Sequence, residues 1–97
     1  MGVIAKAKLR EFWERHRDAE AALKIWYAEA SDARWQGPQD ILKRYPSADF
    51  LFDNRVVFNL KGNQYRLVVQ VHYNTGIVFI RFIGTHAAYN KINAGTI

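Results

Sequence analysis

A chain of 97 residues, 49% hydrophobic and 14% aromatic, holds one domain with its own core and excludes both a two-domain enzyme and wholesale disorder. It has no cysteine, which excludes disulfides, thiol catalysis and thiolate-bound zinc and fits a reducing cytoplasm. The net charge of +5 favours an anionic partner.

The amino terminus, "MGVIAKAKLREFWERH", turns charged at Lys6 and lacks the apolar centre of a secretion signal. Lys6 also stands where a myristoylation signal needs Ser or Thr. No run approaches the ~18 apolar residues that span a bilayer, so no membrane partner is expected. Residues 1–4 are apolar enough to add an edge strand. Ala5, Leu9, Phe12, Trp13 and His16 then recur at helical steps and line one face of a first helix. A second helix is expected after Asp18 as its cap, with Glu20 in the first turn and Leu23, Trp26, Tyr27 and Ala30 turned inward. Gly37-Pro38 marks a turn, and Ile41, Leu42 and Tyr45 line a short third helix that Pro46 ends.

From Asp53 the period drops to two. Three β-rich runs, 55–60, 65–73 and 77–83, are separated by "KGNQ" and "NTG", both hairpin signals. An α+β single domain over 1–97 follows: a small, mainly antiparallel sheet, with two to three helices packed on one face and a short C-terminal helix. Alternation turns Val56, Phe58 and Leu60 one way, together with Tyr65, Leu67, Val69, Val71 and Tyr73. The opposite face then carries Asn59, Lys61, Arg66 and Gln70, and cations beside amides on rigid strands suit phosphate and ribose contacts. The last run is apolar on both faces except for Arg81, which implies an interior strand with one charge aimed at a specific target.

The stretch "GTHAAYNKI" follows that last strand. Thr85 can cap a short helix, placing His86 at its first position and Tyr89 one turn later on the same face. The positive end of a helix, with Arg66 or Arg81 nearby, disfavours imidazolium and keeps a neutral base available. The phenol can complete a proton relay, orient a phosphate or stack on a base; alternatively, Tyr89 packs on the sheet while His86 bonds a loop. Arg66 and Arg81 can each pair with a carboxylate such as Asp49 or Asp53, or present a planar fork to phosphate. Asn63, within "KGNQ", has the composition of a turn former. His16, His72 and His86 are far apart in sequence without an HxxxH pair, so no metal site is expected. Walker A, GxGxxG, GxSxG and paired-carboxylate patterns are all missing.

"RVVFNLKGNQYRLVV" followed by "GIVFIRFIGTHAAYNKI" resembles the HigB family of type II toxin–antitoxin toxins, which are small RelE-like mRNA interferases. The resemblance runs over essentially the whole chain, including "LREFWERHRDAEAALKIWY" and "YPSAD". Its specific part is FN-x-x-GN-x-x-R joined to TH-x-x-Y. It implies a RelE-like fold presenting a basic cleft to mRNA, typically on the ribosome, and a cognate helix-turn-helix antitoxin of the HigA kind. It implies metal-independent, cofactor-free cleavage by the ribose 2′-hydroxyl. On that reading His86 is the base or acid, Arg66 stabilises the phosphorane, and Tyr89 orients or shares the proton traffic. Lys61 is a secondary cation, Asn59, Asn63 and Thr85 position or cap, and Arg81 divides between cleft and framework. The alternative from the residues alone is a non-catalytic basic RNA- or ribosome-binding module. A third is a partner protein docking through an exposed sheet edge.

Overall fold

In the computed structural model, which describes residues 1–97, the period-two region forms strands β3 (Arg55–Leu60), β4 (Tyr65–His72) and β5 (Ile77–Thr85). They pair antiparallel as a meander. The expected N-terminal edge strand is present as β1 (Gly2–Ile4), which pairs parallel with β5. Sequence patterning did not reveal β2 (Asp49–Phe50), a two-residue strand on the far edge against β3. It is too short to show a period, and pairing with β3 is what defines it. The sheet order is β1-β5-β4-β3-β2, so β5 lies inside the sheet, as its apolar composition required.

The helices are α1 (Lys6–Arg15), α2 (Glu20–Asp32) and α3 (Pro38–Arg44). Leu9, Phe12 and Trp13 of α1, Leu23, Trp26 and Ala30 of α2 and Ile41 of α3 are buried in one core. The sheet meets them with Val56, Phe58, Leu60, Tyr65, Leu67, Val69, Val71, Val78 and Ile80. Phe58 lies at the centre, its ring 5.5 Å from Trp26, 6.2 Å from Trp35 and 5.1 Å from Tyr45. The sorting of side chains expected from alternation is the one observed on this side. Pro38 occupies the start of α3 after Gly37, where a missing N–H costs nothing. Arg44 and the Tyr45 hydroxyl both hold Glu29, tying α3 to α2. Burial, and then the hydrogen bond to Glu29, push the Tyr45 phenol up.

The start of α2 differs from expectation. Arg17–Ala19 form a short 3-10 turn, and the helix begins at Glu20 without a side-chain cap. Asp18 is instead drawn to the sheet. Its carboxylate accepts from the Tyr65 hydroxyl and lies 3.0 Å from Lys61 Nζ. Two partners on β4 and the preceding turn hold it better than one backbone N–H would.

The second face of the sheet is more covered than expected. Val57 and Val68 are fully buried beneath Ala94, with Leu51, Phe82, Tyr89, Ile92 and Ile97 packed around them. The last residues of the chain therefore lie across this face. Arg55 helps to hold them by donating from Nε and Nη2 to the Ile97 carbonyl at 3.0 and 2.6 Å. Strand β5 changes face part-way along. Val69 pairs with Ile80 while Val68 pairs with Phe82, leaving Arg81 as the extra residue of a β-bulge. Ile80 consequently joins the helix-side core and Phe82 the opposite cluster.

Candidate active site

Beyond the bulge, β5 ends at Thr85 and turns directly into α4 (His86–Tyr89). Thr85 caps that turn as expected, its Oγ1 accepting from the Ala88 N–H at 3.1 Å. The His86 N–H still donates to the Gln64 carbonyl at 3.0 Å, so the imidazole is anchored to the end of the sheet. Arg66 sits beside it on β4, opposite Gly84. The guanidinium is steered by its bond to the Asn63 carbonyl, 2.9 Å from Nη1. Asn63 itself adopts a left-handed backbone (φ 72°), consistent with its reading as a turn former.

Three side chains converge here. Arg66 Nη2 is 3.5 Å from His86 Nδ1, and Arg66 Cζ lies 5.8 Å from the centre of the Tyr89 ring. A guanidinium can only donate, so the contact is a bond when Nδ1 offers its lone pair and the imidazole proton sits on Nε2. His86 is exposed, while Arg66 and Tyr89 are half-buried. The cluster is a shelf open to solvent. The larger of the two cavities, about 540 Å³, lies instead between the end of α2 and the β4–β5 turn, lined by Asp32, Arg34, Trp35 and Tyr73 among others.

The floor of the shelf depends on Gly84. A Cβ there would come within 2.5 Å of the Phe82 ring, and Phe82 in turn packs 6.4 Å from Tyr89. A side chain at 84 therefore displaces the ring on which Tyr89 rests. This explains a glycine near the end of an otherwise bulky strand.

The other candidate residues fall elsewhere. Lys61 is on the helix side, paired with Asp18, and both its partner and its left-handed backbone (φ 49°) hold it there. The Tyr65 hydroxyl, then Lys61, hold the Asp18 carboxyl below its ordinary 3.8. The same bond pushes the Tyr65 phenol up. Asn59 faces Arg66 across β3–β4 but donates its amide to the Ser47 carbonyl at 2.8 Å. Gln70 is not an open ligand on a polar face, as alternation suggested. It is buried and accepts from Arg81 at 2.6 Å while donating to the Asp53 carboxylate at 3.1 Å. Arg81 is exposed, near neither Arg66 nor His86 by any direct contact.

One signal in the sequence lies in the distribution of charge and not in any single motif. All nine acidic residues lie at or before Asp53, where they balance nine Lys and Arg. After Asp53 come five Lys and Arg and no Asp or Glu, so the whole net charge of +5 belongs to the sheet and the C-terminal turn. The converged cluster therefore sits in the basic half of the molecule, and the helices form a neutral backing.

The family pattern described as "HigB_toxin, RelE-like toxic component of a toxin-antitoxin system" matches residues 19–92. The chain belongs to the HigB toxin family. The matched region includes every residue of the His86–Arg66–Tyr89 cluster. Among similar HigB proteins, the mRNA interferase HigB of Escherichia coli O6:H1 (strain CFT073) is 24% identical over 94 residues, spanning 95% of this chain and 91% of that protein. The mRNA interferase toxin HigB of Escherichia coli K12 is 25% identical over 96 residues, spanning 97% and 92%. The mRNA interferase HigB of Shigella flexneri matches to the same extent, 25% over 96 residues. The resemblance read from FN-x-x-GN-x-x-R and TH-x-x-Y thus agrees with family membership, and the compact α+β architecture is consistent with a RelE-like domain. No helix is long and apolar enough to cross a membrane.

Proposed function

We propose that this chain is the toxin of a type II toxin–antitoxin pair and acts as an mRNA endoribonuclease. The observation that carries the reading is the single guanidinium, Arg66, placed between an imidazole and a phenol on a shelf without Asp or Glu. In the proposed step the ribose 2′-oxygen attacks phosphorus, and the bond from phosphorus to the 5′-oxygen breaks. The 2′ proton passes to one group and a proton reaches the leaving oxygen from another, giving a 2′,3′-cyclic phosphate and a 5′-hydroxyl. His86 and Tyr89 serve these two proton transfers, with His86 as the principal group because one imidazole nitrogen can accept a proton while the other donates. Arg66 stabilises the negative charge that builds on the phosphorane.

Thr85 acts through the cap that orients His86, and Asn63 through the carbonyl that steers Arg66. Lys61 contributes only to the field, since Asp18 holds its ammonium on the other side of the sheet, and Asn59 serves as framework beside Ser47. Arg81 is assigned to RNA binding away from the scissile bond. The cluster contains no carboxylate, and no group of three or more His, Cys, Asp or Glu side chains gathers elsewhere. The proposed chemistry is assigned to the protein's own side chains.

The reading extends to messages being translated on cytoplasmic ribosomes, and to a helix-turn-helix antitoxin of the HigA kind encoded beside the gene. The test is induced expression, with and without that neighbour, followed by mapping of mRNA 5′ ends. Growth arrest with new 5′-hydroxyl ends, abolished by His86→Ala in a folded protein, is the expected result. Salt-sensitive RNA binding without new ends would leave only the binding-module reading.

A further inference from the structure

Arg81 and Phe79 are placed in a way that the cleavage cluster does not require. The bulge in β5 turns Arg81 out of the alternation and leaves its side chain exposed. Its guanidinium is then fixed twice. Gln70, itself only 8% exposed, accepts from Nη2 at 2.6 Å and is braced in turn by Asp53. The guanidinium carbon lies 5.4 Å from the centre of the Phe79 ring. His72 meets that ring edge-on at 5.2 Å and 81°. Ile4, directly across from Phe79 on β1, is 47% exposed and extends the apolar rim. A buried amide braced by a carboxylate, holding an exposed cation over an aromatic ring, keeps a planar surface in one orientation.

The surroundings select the occupant. Strands β1, β4 and β5, which form this half of the sheet, contain no Asp or Glu. The nearby carboxylate of Asp53 is already engaged by Arg55 and Gln70, so a polyanion with planar bases meets a cation without a carboxylate partner and a stacking surface together. Phe79 and His86 lie on one continuous strand and its turn. They are separated by about 20 Å at the ordinary rise per residue, which a few nucleotides of extended strand cover.

We propose that Arg81, layered over Phe79 and held by Gln70, is a base-stacking subsite for single-stranded RNA, remote from the scissile phosphate and carried by the same strand that leads to His86. The inference takes its ligand from the mRNA-cleaving reading, and it concerns affinity and not chemistry.

The test measures binding of a single-stranded oligoadenylate RNA with 2′-O-methyl riboses, which cannot be cut, by fluorescence anisotropy at low salt. Phe79→Leu is expected to weaken binding about 5- to 100-fold, the range for loss of one stacked base. Arg81→Gln weakens it too and lowers the slope of log affinity against log salt by about one. Phe79→Trp, which keeps a ring, retains binding, and thermal denaturation establishes that each variant is folded. If folded Phe79→Leu and Arg81→Gln bind as the parent does, the subsite is overturned. It is equally overturned if Phe79→Leu spares RNA affinity but weakens a protein partner, because the surface is then a protein contact. Should the parent leave messages uncut on induction while oligoadenylate binding still depends on Phe79, the subsite stands and the nuclease reading falls.

Discussion

Strand β4 has two lives, and they differ by one residue. Tyr65, Leu67, Val69 and Val71 are buried against the helices, whereas Arg66, Gln70 and His72 look the other way, toward the C-terminal turn and the bulge. The helix side is sealed by aromatic rings and built mostly from residues 1–53, which carry no net charge. The opposite side presents Arg66 and Arg81 and is only partly roofed by the tail. The contrast between them explains how 97 residues can both fold and present chemistry. The sheet alternates the two tasks along a single strand, so the packing that stabilises Leu67 also aims Arg66. The rigid backing substitutes for the deep cavity that a larger enzyme would build.

The sharpest test of that division is His86→Ala. Loss of a general acid or base is expected to reduce mRNA cleavage about 10²- to 10⁴-fold, with no change in thermal midpoint because the imidazole is exposed. A parental cleavage rate in that variant would remove His86 from the mechanism. Neighbouring substitutions on β4 then separate the two faces. Leu67→Ala should destabilise the protein by roughly 2–5 kcal/mol in urea titrations, with catalysis per folded molecule retained. Arg66→Gln should do the reverse, lowering the cleavage rate about 10²- to 10³-fold while the urea midpoint holds. If both variants lost stability alike, the guanidinium would be framework.

Smaller effects probe the joints between the faces. Thr85→Ala removes the cap beside His86 and should cost about 1 kcal/mol, read as a lower thermal midpoint and a proportionately milder loss of activity than His86→Ala. The smallest expected effect belongs to Asp18, which joins the 3-10 turn to Tyr65 and Lys61. Its carboxyl is held below 3.8, so its contribution to stability is present above that pH and is lost as pH falls through the lower folded value. Asp18→Asn should therefore lower stability slightly at neutral pH and flatten the acid limb of the stability curve, because the variant has no such contribution left to lose. An unchanged acid limb would show that this exposed pair contributes nothing measurable.

Much of this protein follows from its sequence because the governing physics is local. Helical spacing of Leu9, Phe12 and Trp13, alternation through β3 and β4, Gly37-Pro38 before α3 and Thr85 before His86 all depend on neighbours within a few residues. The placement of His86 and Tyr89 on one turn was legible for the same reason, and the excess of cations after Asp53 could be counted without coordinates. Only the tertiary structure decided the rest. The short edge strand β2, the tail over Val57 and Val68, the bulge that expels Arg81, the burial of Gln70 and the capture of Asp18 by Tyr65 each join residues distant in sequence. Such pairings are selected by packing and by the need to satisfy polar groups across the sheet, and no local propensity encodes them.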